Sequence, residues 1–181
     1  MNEERAMQIF FEIHRDLPRE GPGDGQCTRK ALSMAGKLPD KPRIIDIGCG
    51  PGMQTLDLAS ATDGVITAVD NWQPFLDQLE KKAAQEGLQD QIKTVNADMA
   101  ALDFEDASFD LVWSEGAAYI MGFQNALHSW KRLLKKPGCL VVSEIAWLRD
   151  NPPEEVREYF AAEYPAMRDI ESNLDLIRGA G

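Results

Sequence analysis

The sequence is short of basic residues, cysteine and histidine, and it contains no long apolar run. Nineteen Lys and Arg stand against 30 Asp and Glu in 181 residues, a formal net charge of -11. Nucleic-acid backbones are held chiefly by Lys and Arg, so no nucleic-acid partner is expected. Lys131, Arg132, Lys135 and Lys136 lie close together and read as a solvated helix face. Cys27, Cys49 and Cys139 are far apart; they show no metal-ligand spacing, and an odd count builds no disulfide framework. His14 and His128 have no ligand-spaced partner either, so no metal is expected. No apolar stretch approaches the ~20 residues of a membrane helix. The start, Met1-Asn2-Glu3-Glu4-Arg5, leads into no apolar signal core. A soluble, cytoplasmic protein without membrane association is therefore expected.

What is present is a globular composition, 44% hydrophobic and 27% charged, in a chain long enough to bury a core. One domain over 1–181 is expected: amino-terminal helices or lid over 1–40, a core over 43–146, and a helical segment over 147–181. Met7, Phe10, Phe11, Ile13 and Leu17 fall at helical spacing around residues 3–16. Pro18 to Gly25 holds two prolines and three glycines and reads as a loop. A short helix follows from about Gln26 to Gly36.

From Arg43 onward, apolar β-rich runs alternate with helical patterns. Strands are expected at Arg43–Ile47, Val65–Val69, Ile92–Asn96, Phe109–Trp113 and Cys139–Ile145. The helices between them fall at Met53–Ser60, Trp72–Gln85 and Gln124–Lys135, the last stopped by Pro137-Gly138. This rhythm predicts βαβ units: an α/β, Rossmann-like, doubly wound, mainly parallel sheet in three α/β/α layers. Such a sheet binds ligands at the carboxyl ends of its strands. Beyond Ala146, helices are expected at Glu154–Ala162 and Ile170–Ile177.

The first strand runs into Gly48-Cys49-Gly50-Pro51-Gly52. Glycines there permit a sharp turn and a close ligand, although a plain strand–helix turn would use them too. The spacing is G-x-G-x-G, and Met53 stands where a dinucleotide fingerprint wants its third glycine. Asp46, two residues earlier, would repel a pyrophosphate and accept hydrogen bonds from a cationic ligand. Asp70 closes the second strand, where it could hold a ribose or merely cap the next helix. Asp98 closes the third, where a turn satisfying its own backbone is the alternative.

Asp46-Ile47-Gly48-Cys49-Gly50-Pro51-Gly52 resembles motif I of the class I S-adenosylmethionine-dependent methyltransferases, and the resemblance runs across roughly residues 43–146. It implies that Asp46, Gly48, Cys49, Gly50 and Gly52 wrap the methionine and adenosine parts of the cofactor S-adenosylmethionine. Asp70 and Asn71 would meet its ribose, Trp72 would flank the adenine, and Asp98 and Met99 would contact the ring. Ser114 and Glu115, after the fourth strand, would sit by the transferred methyl group.

Methyl transfer from a sulfonium is an in-line displacement with an activated donor, so the protein contributes chiefly positioning and exclusion of water. A base is needed only for a hydroxyl or protonated amine, and Glu115 and Tyr119 are the candidates. Tyr119 and Phe123 either line an acceptor pocket or pack as core. His14, in a helix that lids the pocket in small-molecule relatives, is a weaker proton acceptor. No N-P-P-[YFW]-type tetrapeptide follows strand four, where Ser114-Glu115-Gly116-Ala117 stands instead; with the acidic charge this favours a small metabolite over DNA. The family's two closing strands have no counterpart in this sequence, which leaves a sheet edge open and predicts a tendency to form a homodimer. A catalytically silent cofactor-binding protein and an NAD-type oxidoreductase are the other readings.

Overall fold

Two-residue periodicity along the first strand sets the architecture. The computed structural model describes residues 3–14 and 17–181. In β1 (Arg43–Ile47) Ile44 and Asp46 face one side of the sheet, Ile45 and Ile47 the other, and all four are buried. Burial on both faces is the mark of a parallel sheet covered by two helix layers. Beside β1 lie β2 (Val65–Asp70), β3 (Ile92–Asn96), β4 (Phe109–Glu115) and β5 (Leu134–Ser143), in spatial order β3-β2-β1-β4-β5, with every pairing parallel.

Two helices, α3 (Met53–Ala61) and α4 (Gln73–Glu86), cover the face that carries Ile44, Ile66, Leu111 and Trp113. Ahead of them in the chain come α1 (Glu3–His14) and α2 (Gly25–Met34); Ala31 and Leu32 of α2 pack at the edge of the same layer. The opposite face, with Ile45, Ile47, Val112 and Phe109, is covered by α5 (Phe123–Lys131) through Phe123, Leu127 and Trp130. Trp113 and Trp130, one in each layer, are almost wholly enclosed. A side chain of that size stabilises the fold by about 1.5–3 kcal/mol or more through burial alone. Phe123 is therefore core.

The expected α/β sheet is present, with three local differences. Helix α5 ends at Lys131, and β5 begins at Leu134 rather than Cys139. Leu134 pairs with Phe109 and Cys139 with Leu111, so residues 135–138 bulge out of the ladder. Pro137, which has no N–H to donate, falls within that bulge on the sheet's edge. Lys135 fastens the bulge by an ion pair to Asp110 at 2.8 Å. Lastly, β6 (Ala146–Trp147) and β7 (Arg168–Asp169) form a two-residue parallel pair flanking α6 (Glu154–Glu163) and leading into α7 (Ile170–Ala180). Among the described residues the outer edge of β5 has no strand beside it. Nor, among those residues, is any helix long and apolar enough to cross a membrane.

Candidate active site at the switch between strands one and four

The strand order reverses between β1 and β4, and there the loops after both strands meet. Gly48 (φ +71°) follows β1, and a Cβ on it would collide with the methyl of Ala117, which follows β4. Gly52 (φ +87°) caps α3 in the left-handed region, where a side chain would strike Leu79 of α4. These two glycines thus serve close packing. Gly50 (φ +53°) differs: the nearest atom its side chain would meet is Cγ of Glu20, at 3.4 Å. The middle glycine faces the loop that crosses over the site.

Beneath this loop sits an unbalanced set of carboxylates. Asp46 is fully enclosed; Thr55 of α3 donates to its Oδ2 at 2.6 Å, while Oδ1 lacks a hydrogen-bond partner of good geometry. Burial pushes its pKa up to about 7; the Thr55 hydroxyl and the Gln54 amide nearby oppose that rise, and the Glu115 and Asp70 carboxylates add to it. Asp70 accepts the backbone N–H of Gly50 at 2.9 Å and that of Trp72 at 3.0 Å. Burial raises its pKa as well, against the pull of those amides. Cys49 is buried, and desolvation next to Asp46 and Asp70 raises its thiol, so it stays a neutral thiol.

Glu115, at the end of β4, is held by three donors. Arg19 forms an ion pair with Oε2, while Thr28 and Trp113 donate to Oε1 at 2.8 and 2.9 Å. Arg19 and Thr28 come from the amino-terminal segment, so this carboxylate ties the crossing loop to the sheet. Arg19 and Glu115 are each less than a tenth exposed, and Arg19 keeps Nε and Nη1 buried without partners. Neither Arg19 nor Thr28 was expected here; a contact 96 residues apart in the chain leaves no local signal. His14 is paired with Glu20 on the same crossing segment.

Past Gly116 the loop opens into a cavity of about 450 Å³ lined by Tyr119, Tyr159, Phe160 and Tyr164, together with Glu144 and Glu163. Gly116 itself lines it, and its N–H donates to Ser143 Oγ at the end of β5 at 2.9 Å. A larger hollow of about 520 Å³ lies at the other end of the strands, around Asp110 and Lys135–Cys139. In an open α/β sheet ligands bind outside the carboxyl ends, which selects the first.

The methyltransferase-domain family matches residues 44–138, more than half of the chain and all of the glycine-loop apparatus. The chain belongs to that family. It is 32% identical over 137 residues to the uncharacterized methyltransferase YodH of Bacillus subtilis, covering 76% of this chain and 57% of that one. Similarity to the 27-O-demethylrifamycin SV methyltransferase of Amycolatopsis mediterranei is 28% over 120 residues, 65% of this chain and 44% of the relative. Phosphoethanolamine N-methyltransferase 2 of Haemonchus contortus, solved with S-adenosyl-L-methionine, superposes with a TM-score of 0.79 at 20% identity, over 94% of this chain and 40% of that one. The chain thus spans about half the length of the curated relatives it matches.

Within this methyltransferase domain the other predicted site residues are distributed unevenly. Ser114 is buried and donates to the carbonyl of Ile47 at 2.8 Å, stitching β4 to β1 just before the glycine loop. Met99 packs near Gly48, and its carbonyl accepts from Trp130 Nε1 at 3.1 Å. Asp98 is exposed and accepts the Ala100 N–H at 2.9 Å, which is the turn geometry. Asn71 is exposed and Trp72 half-buried at the start of α4. Tyr119 is 44% exposed and lies in the cavity, its ring 5.6 Å from that of Tyr164. Glu144 was not singled out in the sequence.

Proposed function

We propose that this chain is the catalytic domain of an S-adenosylmethionine-dependent methyltransferase acting on a small molecule. The observation that carries this reading is the fully buried Asp46 carboxylate, whose Oδ1 lacks a hydrogen-bond partner of good geometry, beside Asp70 and Glu115. Among the described residues, the carboxylates of Asp46, Asp70 and Glu115 share the region with the Arg19 guanidinium, so what fits is a cation with N–H donors, not a pyrophosphate. S-adenosylmethionine brings an ammonium, and when bound it supplies a methyl group already activated on a sulfonium.

On this reading Asp46 accepts the ammonium, while the spare Nε and Nη1 of Arg19 suit the carboxylate at the same end of the cofactor. Gly48, Cys49, Gly50 and Gly52 supply backbone along the methionine and the sugar. Asp70 can accept ribose hydroxyls as well as its two amides, since each carboxylate oxygen has two lone pairs. Trp72, Asn71, Asp98 and Met99 border the adenine side. The segment Arg19–Asp24, anchored through Glu115, shields the reacting centre from water. Tyr119 stands on the acceptor side. Glu115, with its acceptor sites filled, positions this segment.

Calorimetric titration with S-adenosylhomocysteine, with NAD in parallel, tests the reading. Binding of the first and not the second is expected, with an Asp70→Ala variant weaker by about tenfold or more for the loss of charge-assisted hydrogen bonds. Equal affinity in the variant would overturn the assignment.

A further inference from the structure

We propose that the cavity beyond Gly116 is the acceptor site and that it selects a small cationic amine, held by Glu144 among the rings of Tyr119, Tyr159, Phe160 and Tyr164. This rests on the methyltransferase reading and adds the substrate class to it.

Placement comes first. Gly116 lines the cavity, and its neighbour Ala117 packs on Gly48 of the cofactor loop, so two residues separate the spaces where donor and acceptor would lie. Glu144 follows the last residue of β5, at the same carboxyl end of the sheet as Asp46 and Glu115. Both its carboxylate oxygens are sealed from solvent and lack a hydrogen-bond partner of good geometry. Burial raises its pKa, and the Tyr164 hydroxyl and Ile145 amide nearby only partly counter this. The Tyr164 hydroxyl in turn is pushed up to about 12 by burial and by Glu144.

The chemistry of the lining then narrows the ligand. Among the described residues lining the cavity there are two glutamates and no Lys, Arg or His. Arg168 acts on the Tyr164 hydroxyl from outside the lining, and Arg19 is paired with Glu115. A carboxylate or phosphate ligand would add a third negative charge. A neutral alcohol would offer one donor and leave the charge uncompensated. An ammonium supplies both donors and charge, and aromatic faces attract it further. The net charge of -11 also draws cations in from solution. Glu144 is moreover placed to take the proton that an ammonium sheds before its nitrogen can accept a methyl group.

The test uses the full chain saturated with S-adenosylhomocysteine and three probes that share a phenylethyl group: 2-phenylethylamine, 2-phenylethanol and 3-phenylpropanoate. The amine should bind about tenfold or more tighter than the alcohol, the step expected for a hydrogen bond to a charged group; the carboxylate should not compete. Glu144→Gln should bring the amine to the level of the alcohol with unchanged S-adenosylhomocysteine affinity. If that variant fails to fold, Glu163→Gln at the exposed rim should still reduce the preference. An amine bound no better than the alcohol, or a preference that survives both substitutions, overturns the proposal. Failure of the protein to bind S-adenosylhomocysteine would instead overturn the methyltransferase reading.

Discussion

Replacing Asp46 by asparagine should stabilise the ligand-free protein and weaken its hold on S-adenosylhomocysteine at once. The carboxyl's pKa rises from 3.8 to about 7 on folding because burial disfavours the charged form. Between those values the folded state binds more protons than the unfolded, so stability falls as pH rises through that window, and the whole penalty is present above it. That rise corresponds to about 4 kcal/mol. Asparagine keeps an acceptor for Thr55 but leaves an amide donor where Oδ1 now lacks a well-formed partner, at a cost of about 1–3 kcal/mol. The net gain at pH 8 is therefore about 1–3 kcal/mol, and near pH 4 it vanishes or reverses. For a domain of this size that raises Tm by about 2–12 °C at pH 8. Affinity for S-adenosylhomocysteine should fall by about 10- to 150-fold, the worth of a hydrogen bond to a charged group. Differential scanning fluorimetry at pH 5 and 8, with calorimetric titration of the ligand, reads both halves. A variant less stable than the parent at pH 8, or one that binds the ligand equally well, would refute the idea that Asp46 is a carboxylate kept for a cation.

Two further outcomes follow from packing and pairing. Glu115→Gln leaves the buried Arg19 without its counter-charge and should cost about 3–5 kcal/mol; amide exchange across Arg19–Thr28 should quicken, and the double variant with Arg19→Met should recover much of the loss, whereas unchanged exchange would show that the ion pair does not hold the segment. Gly52→Ala should cost about 2–4 kcal/mol, from a left-handed backbone and collision with Leu79; a Leu79→Ala partner should relieve the collision alone, and additive losses in the cycle would argue against that contact.

The sheet was legible because its strands are short apolar runs bounded by turn residues. Both β1 and β3 match the expected limits, and β2 and β4 extend only slightly beyond theirs. The last strand was misplaced for a physical reason. Leu133 and Leu134 continue the helical spacing of α5, but Leu133 is buried against the sheet and Leu134 already pairs with Phe109. Local periodicity cannot separate those outcomes, because the choice is made by a strand 25 residues away. The misplacement had a consequence: a strand drawn through Ile145 hides Glu144 inside it, whereas a strand ending at Ser143 puts Glu144 where the chemistry of such sheets sits. The pair β6 and β7 is two residues each, too short for any period. At the glycine loop the residue types were readable, but their division of labour was not. Only the folded contacts show that Gly48 and Gly52 answer to Ala117 and Leu79 while Gly50 faces the crossing segment.

Electrostatics links the two proposed sites. A sulfonium donor and an ammonium acceptor repel each other, and inside a protein, where the effective dielectric constant is well below that of water, the repulsion at about 4 Å is worth roughly 4 kcal/mol. A protein that brings them together must place negative charge on both sides of the line of transfer. Asp46, Asp70 and Glu115 lie on one side of the Gly116-Ala117 turn, with Arg19 cancelling one charge, and Glu144 and Glu163 line the space on the other. Each set carries an excess that the fold only partly compensates at Asp46 and at Glu144. Burial of both is costly in the empty protein and becomes favourable when both cations are present. Each cation lowers the carboxylate field that attracts the other, so the two charges oppose one another's binding and the surplus of carboxylates offsets that opposition. The amine probe should bind more tightly to the protein loaded with S-adenosylhomocysteine, whose sulfur is neutral, than to the protein loaded with the sulfonium form. That ordering follows from charge alone, whatever the shape of the acceptor.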